Sequence, residues 1–264
     1  MQIIGFILAI LIGIVLGLIG GGGSILTIPL VEYVFGKSTY DATSYSLIVV
    51  SFSALFGVLQ RLGKNQFAYK EALVFGIPSI IVAFIIRSTV IHFIPENFSV
   101  LDCELTRDGT LSVLLITVMI IVAIRMLHPH KNPENITLPS NVKIVTMGIF
   151  TGLLAGFLGA GGGFIIVPIL IGMGLDMRRA VSTSMLITFF QSMIAILGDF
   201  LSKGKSGGFD IDWKLAISLS VLSMLGVFVG TLLQRHVSTK LLRKLFASIL
   251  IVVAIGIFIQ RIFF

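Results

Sequence analysis

Two glycine-rich runs are the segments of this chain best suited to chemistry. They are Gly20-Gly21-Gly22-Gly23-Ser24, followed by Pro29, and Gly161-Gly162-Gly163-Phe164, followed by Pro168. Glycine costs about 1 kcal/mol against alanine inside a helix, so consecutive glycines break one. A helix restarting after such a break offers uncapped backbone N–H groups and the positive end of its dipole, the two features that hold an anion. Each proline lies five residues into the restart. There it removes a donor and kinks the helix, which frees one more carbonyl.

Hydroxyl clusters form a second constellation: Thr43, Ser44 and Ser46, then Ser182, Thr183 and Ser184. Hydroxyls at a helix start either cap its N–H groups or face a ligand, and both readings are open here. Gln191 and Ser192, like Ser51 and Ser53, could extend a polar track inward or join helices by hydrogen bonds. Close helix packing is the competing account of the glycines. The pairs Gly13/Gly17 and Gly152/Gly156 have the spacing for it. Packing alone, however, does not call for four glycines in a row.

Other chemistries find little support. Neither run fits a dinucleotide fingerprint, and neither has the lysine of a phosphate-binding loop. Cys103 is the only cysteine, and the four histidines lack ligand spacing, so no metal or other cofactor is expected. The apolar stretches carry no catalytic dyad, which argues against an enzyme.

The elements that must position these residues follow from composition. Of 264 residues 56% are hydrophobic and only 12% charged, about half the charge density of a soluble domain. Eight stretches hold no Asp, Glu, Lys or Arg: 1–31, 42–60, 72–86, 109–124, 144–175, 180–198, 215–234 and 245–260. A bilayer core of about 30 Å needs roughly 20 helical residues. Runs such as Ile80 to Ile86 do not alternate, which excludes a β-barrel. The expected fold is an all-α integral membrane protein with about eight transmembrane segments. The net charge of +7 reflects basic residues at helix ends, and nucleic acid is not an expected partner.

Spans are expected at 2–20, 42–60, 69–88, 109–127, 142–159, 180–198, 213–234 and 242–260, with short apolar pieces at 25–35 and 164–173. Residues 1–20 read as a retained span rather than a removed signal peptide. A polar, proline-interrupted segment near mid-chain divides a first repeat at 1–130 from a second at 141–264, with 131–140 as linker. Pro29 matches Pro168 at an offset of 139, Thr43-Ser44 matches Thr183-Ser184 at 140, and Tyr69-Lys70 matches Trp213-Lys214 at 144. Internal repeats of this kind are the usual construction of secondary transporters. Lys and Arg divide almost evenly between the two sides, so parallel and inverted repeats both stay open. Glu32 is the best candidate for a titratable group at depth, and the coupling ion, H+ or Na+, is undetermined.

The paired signatures Gly17-x-x-Gly20-Gly-Gly-Gly-Ser24-x4-Pro29 and Gly156-x-x-Gly159-x-Gly161-Gly-Gly163-x4-Pro168 resemble those of the TauE/SafE family of membrane permeases, also described as sulfite exporters. Ala180-x-Ser182-Thr183-Ser184 and its weaker partner Ala42-Thr43-Ser44 resemble the motif after each run there. The likeness covers about 2–260. Tyr40 stands opposite Ala180, and the loop at 92–108 is longer and more acidic than in the family. The resemblance implies export or uptake of small anions such as sulfite, sulfonates or thiosulfate. It maps the substrate region onto Gly21, Gly22, Gly23, Ser24, Thr43, Ser44, Gly161, Gly162, Gly163, Phe164, Thr183 and Ser184, with Gln191 added from the polar track. The resulting expectation is an alternating-access carrier in the cell membrane. A non-transporting scaffold or an anion channel is the alternative, and oligomeric state is open.

Overall fold

The structure, a computed structural model, describes residues 2–90, 97–100, 103–127, 140–159, 161–203, 211–234 and 236–263. Ten α-helices account for nearly all of them. In the first half these are α1 (Gln2–Ile19), α2 (Gly22–Phe35), α3 (Thr39–Leu59), α4 (Tyr69–Ile85) and α5 (Arg107–Leu127). A π-helical turn, Ile86–Val90, continues α4. In the second half they are α6 (Asn141–Leu158), α7 (Gly163–Gly172), α8 (Met177–Lys203), α9 (Trp213–Leu233) and α10 (Thr239–Phe263).

Seven of these helices are long and apolar enough to cross a bilayer, while α1, α2 and α7 are shorter apolar helices. The expected fold class therefore holds. The polar loop expected at 92–108 adds a small antiparallel hairpin, β1 (Asn97–Val100) with β2 (Cys103–Thr106), in which Val100 faces Cys103. The expected linker lies, but for Ser140, outside the described residues.

Local chemistry sets several boundaries. The Ser38 hydroxyl accepts from the Asp41 N–H at the start of α3, and the Asp212 carboxylate accepts from Lys214 and Leu215 at the start of α9. Gly36 closes α2 in the left-handed conformation. Outer faces are apolar: Leu73, Ile77, Ile81 and Ile85 form an exposed stripe along α4 at one-turn spacing. Water would disfavour such a stripe, whereas lipid accepts it. α3 and α8 are the most enclosed spans.

The glycine runs reverse the chain. Gly5 lies against Phe35 and Val34, and Gly23 lies against Ile12 and Leu16, so α2 folds back antiparallel along α1. The Phe6 and Phe35 rings, 5.9 Å apart, close the far end of this hairpin. α4 runs parallel to α6, with Phe75, Ser79 and Ala83 against Gly148, Gly152 and Gly156. It also runs parallel to α8, with Gly76 beside Ile187 and Phe84 beside Gly198. α7 starts with Gly163 beside Thr188 and ends just before Met177 opens α8, so it runs opposite to α8 and hence to α6.

The halves exchange helices. α1 packs on α9 and α4 packs on α6, while α3 meets α8 and α5 meets α10. Gly13 and Gly17 lie on the Ser223 and Val227 carbonyls, and Gly152 and Gly156 lie on those of Ser79 and Ala83. The offsets read from the sequence, 139 and 144, turn the first pair of contacts into the second. These glycines serve the packing role their spacing suggested, letting backbones approach where a Cβ would collide. α3 and α8 run antiparallel: Ser44 meets Asp199, Ser51 meets Met193 and Gly57 meets Met185.

Candidate functional site

The two chain reversals touch. Gly20 has φ +85°, and Gly159, Gly161 and Gly162 have φ between +60° and +68°, a region open to glycine and strained for other residues. A Cβ built on Gly163 would stand 2.5 Å from the Cα of Gly21, so backbone packs on backbone with no room for a side chain. The N-cap residues of α2 and α7 are the glycines Gly21 and Gly162. In α7 the N–H groups of Ile165 and Ile166 bond to the Gly162 carbonyl, so the helix dipole starts at the glycine run. Pro29 and Pro168 sit inside α2 and α7, which continue past them. Each deprives a carbonyl four residues earlier, that of Ile25 or Phe164, of its helical donor.

One face of α8 lines this meeting point. Gly161 abuts the Ser192 hydroxyl and Thr188, Gly162 abuts the Gln191 amide, and Gly163 abuts the Thr188 hydroxyl. Val50, in the middle of α3, completes the wall beside Gly161. Thr188, Gln191 and Ser192 are no more than 1% exposed. Among the described residues, the Thr188 and Ser192 hydroxyls and both polar atoms of the Gln191 amide have no hydrogen-bond partner. A buried polar atom left unpaired costs about 1–3 kcal/mol, and native folds rarely collect several in one place. This cluster therefore has hydrogen-bonding capacity beyond what the fold uses.

The other expected site residues are already engaged. Thr43 donates to the Tyr40 carbonyl at 2.6 Å and accepts from Arg87 Nη2 at 2.6 Å. Ser44 donates to Asp199 Oδ2 at 2.8 Å and accepts from Arg87 Nη2 at 3.1 Å. Thr183 accepts from the Ala68 N–H at 2.9 Å, and Ser184 donates to the Gly20 carbonyl at 2.7 Å. Gly159 packs on Thr43 and Gly20 packs on Val181 and Ser184, so each reversal is held by hydroxyl-bearing residues of the opposite half. Gly22 and Ser24 lie in the first turn of α2, and Ser24's side chain falls outside the described set.

Three features were not foreseen. Thr188 was missed, although Ser184, Thr188, Gln191, Ser192 and Asp199 form one polar stripe at helical spacing along α8. Arg87 and Asp199 form an ion pair at 2.7 Å with both side chains fully buried. Glu32 is only half-buried and accepts a hydrogen bond from Thr39, so Asp199 is the more deeply enclosed carboxylate. Arg61, after α3, is buried as well and donates to the Gly57 and Gly17 carbonyls and to Gln234 Oε1. Burial lowers its pKa to about 10, which leaves it a cation at neutral pH.

Comparison with known proteins places the chain. A family model described as "Sulfite exporter TauE/SafE" matches residues 5–257. A "Probable membrane transporter protein" of Xylella fastidiosa (strain 9a5c) is 30% identical over 255 residues, which cover 93% of this chain and 90% of that one. The "Probable membrane transporter protein YdhB" of Bacillus subtilis (strain 168) is 26% identical, covering 83% of this chain and 85% of its own. A third similar protein, "Probable membrane transporter protein MJ0441" of Methanocaldococcus jannaschii, is 23% identical and covers 92% and 91%.

Proposed function

This chain belongs to the TauE/SafE family of membrane transporters, and we propose that it is a secondary transporter of small anions working by alternating access. Its substrates are sulfur-containing anions such as sulfite, sulfonates or thiosulfate, and its place is the cell membrane. The observation that carries this reading is the unpaired polar cluster of Thr188, Gln191 and Ser192 against the glycine run that starts α7.

Everything that cluster presents to a ligand from side chains is neutral. Two hydroxyls and a carboxamide donate without a fixed counter-charge, and the start of α7 adds the positive end of a short helix dipole. An oxyanion seated there exchanges its water shell for these donors. It also avoids the cost that a buried, unpaired cation would bring when the site is free. Neutral donors of this kind bind an anion firmly enough to select it and loosely enough to release it.

Alternating access follows from the exchanged helices. We read the two halves as inverted repeats, because the contacts of α1 with α9 are reproduced by those of α6 with α4, and because α3 and its counterpart α8 run antiparallel. An inverted pair can trade conformations, so a site at its centre opens to one side and then the other. Liposomes holding the purified protein test the reading. Labelled thiosulfate should exchange saturably with unlabelled anion, and Gln191→Ala should slow exchange by at least about tenfold, one good hydrogen bond to a charged ligand. Absence of saturable exchange for sulfite, thiosulfate and a sulfonate alike would remove the proposal. Flux that never saturates would mark a channel.

A further inference from the structure

We propose that the Arg87–Asp199 pair is a coupled binding site for one anion and one proton: the anion takes Arg87 from Asp199, and the released carboxylate takes up a proton. The proposal deepens the transport reading and rests on it.

The geometry supplies the competition. Arg87 uses Nε toward Asp199 Oδ1 at 2.7 Å and Nη2 toward Thr43 and Ser44. Its Nη1 is buried and has no hydrogen-bond partner among the described residues. The guanidinium is therefore a cation with spare donor capacity, fully enclosed between helices of both halves. Gly159, two residues before Gly161, packs directly on Thr43, so the second chain reversal borders the residues that hold Arg87.

Electrostatics supplies the coupling. A carboxylate with no counter-charge is strongly disfavoured in a protein interior within a bilayer. An anion that displaces Asp199 from Arg87 would leave two negative charges facing one positive charge. Protonating Asp199 removes the conflict, because a neutral carboxyl can still hydrogen-bond Ser44. The only bond made is one carboxyl O–H: the proton comes from water on the side where the anion enters and returns to water on the side where the anion leaves.

The neighbouring charges do not supply another answer. Facing the pair from α3 is Tyr40, whose ring lies 5.7 Å from the Arg87 guanidinium carbon and 4.3 Å from that of Arg107 at the start of α5. Asp41 stands beside Tyr40 and is exchanging hydrogen bonds with Ser38 at the exposed end of α3. α7 carries no ionisable residue, and those of α4, Lys70 and Glu71, lie at its other end.

The test uses thiosulfate and methanesulfonate, both fully ionised near neutral pH, so that any proton moved belongs to the protein. Liposomes with the membrane potential clamped would carry a trapped pH dye while labelled anion is followed. Wild-type protein should move protons with the anion at a fixed ratio, and a pH gradient alone should drive the anion uphill. In Asp199→Asn that ratio should fall to zero. Should that variant fail to fold, the neutral pair Arg87→Gln/Asp199→Asn leaves no uncompensated charge. It should lose all proton movement and slow anion exchange at least tenfold. Anion flux through wild type without protons, or either variant coupled like wild type, overturns the inference while leaving transport intact. No flux of either anion through wild type overturns this inference, and absence of sulfite flux as well overturns the transport reading.

Discussion

Arg87 Nε lies 2.7 Å from Asp199 Oδ1, with both side chains wholly enclosed, and the two residues come from different halves of the chain. The pair joins the end of α4 to the end of α8, and through Ser44 it also joins the start of α3. A buried pair gives modest net stability, but breaking one side leaves an uncompensated charge. Asp199→Leu alone should therefore lower stability by about 3–5 kcal/mol, whereas Arg87→Met/Asp199→Leu should lie within a few kcal/mol of wild type. Denaturant unfolding in micelles measures both. Equal losses in the single and double variants would show that the pair is not what the charges depend on.

Thr188→Val and Ser192→Ala remove polar atoms the fold leaves unpaired. Each should leave thermal stability unchanged or raise it, by up to about 1–3 kcal/mol, while anion exchange falls. A hydroxyl that served only as interhelical glue would give the opposite pattern, lost stability with transport kept.

The contact between the two chain reversals tolerates no side chain. Gly163→Val must separate Gly21 from Gly163 or displace Thr188. The variant should insert normally but lose anion exchange by a hundredfold or more, about 3 kcal/mol in the transport barrier. Exchange at the wild-type rate would mean that the reversals need not touch.

Glycines of different surroundings should separate in stability. Gly152→Val drives a branched side chain into the Ser79 carbonyl, and overpacking of this kind costs about 1–3 kcal/mol or more. Gly36→Ala meets nothing within 4 Å and carries only the strain of φ +67°, about 1 kcal/mol. Melting curves of the two variants in the same detergent should rank them in that order.

Much of this architecture was legible from residue types alone. Uncharged stretches located the spans to within a few residues: the expected 69–88 is α4 with its π-helical turn, and the expected 213–234 is α9. The break points were legible too, because four neighbouring glycines or a glycine triplet cannot hold a helix wherever they fall. The offsets of 139 and 144 relate the glycine contacts of α1 with α9 to those of α6 with α4. These are properties of short segments, and the solvent that surrounds a segment sets them before any partner is chosen.

Tertiary structure alone decided what those segments do to one another. The glycine breaks could have unwound a straight span, but contacts of Gly5 with Phe35 and of Gly23 with Leu16 show the chain turning back. Thr43, Ser44, Thr183 and Ser184 had the composition of a site and bond to Arg87, Asp199, Ala68 and Gly20, whereas Thr188, on the same polar stripe of α8 as Ser184, is left unpaired. The physical reason is the solvent. A span that is apolar nearly all round in lipid has little hydrophobic pattern to fix its inward face. Which hydroxyl meets which charge is then settled by the packing of helices distant in the chain, 44 residues from Thr43 to Arg87 and 155 from Ser44 to Asp199.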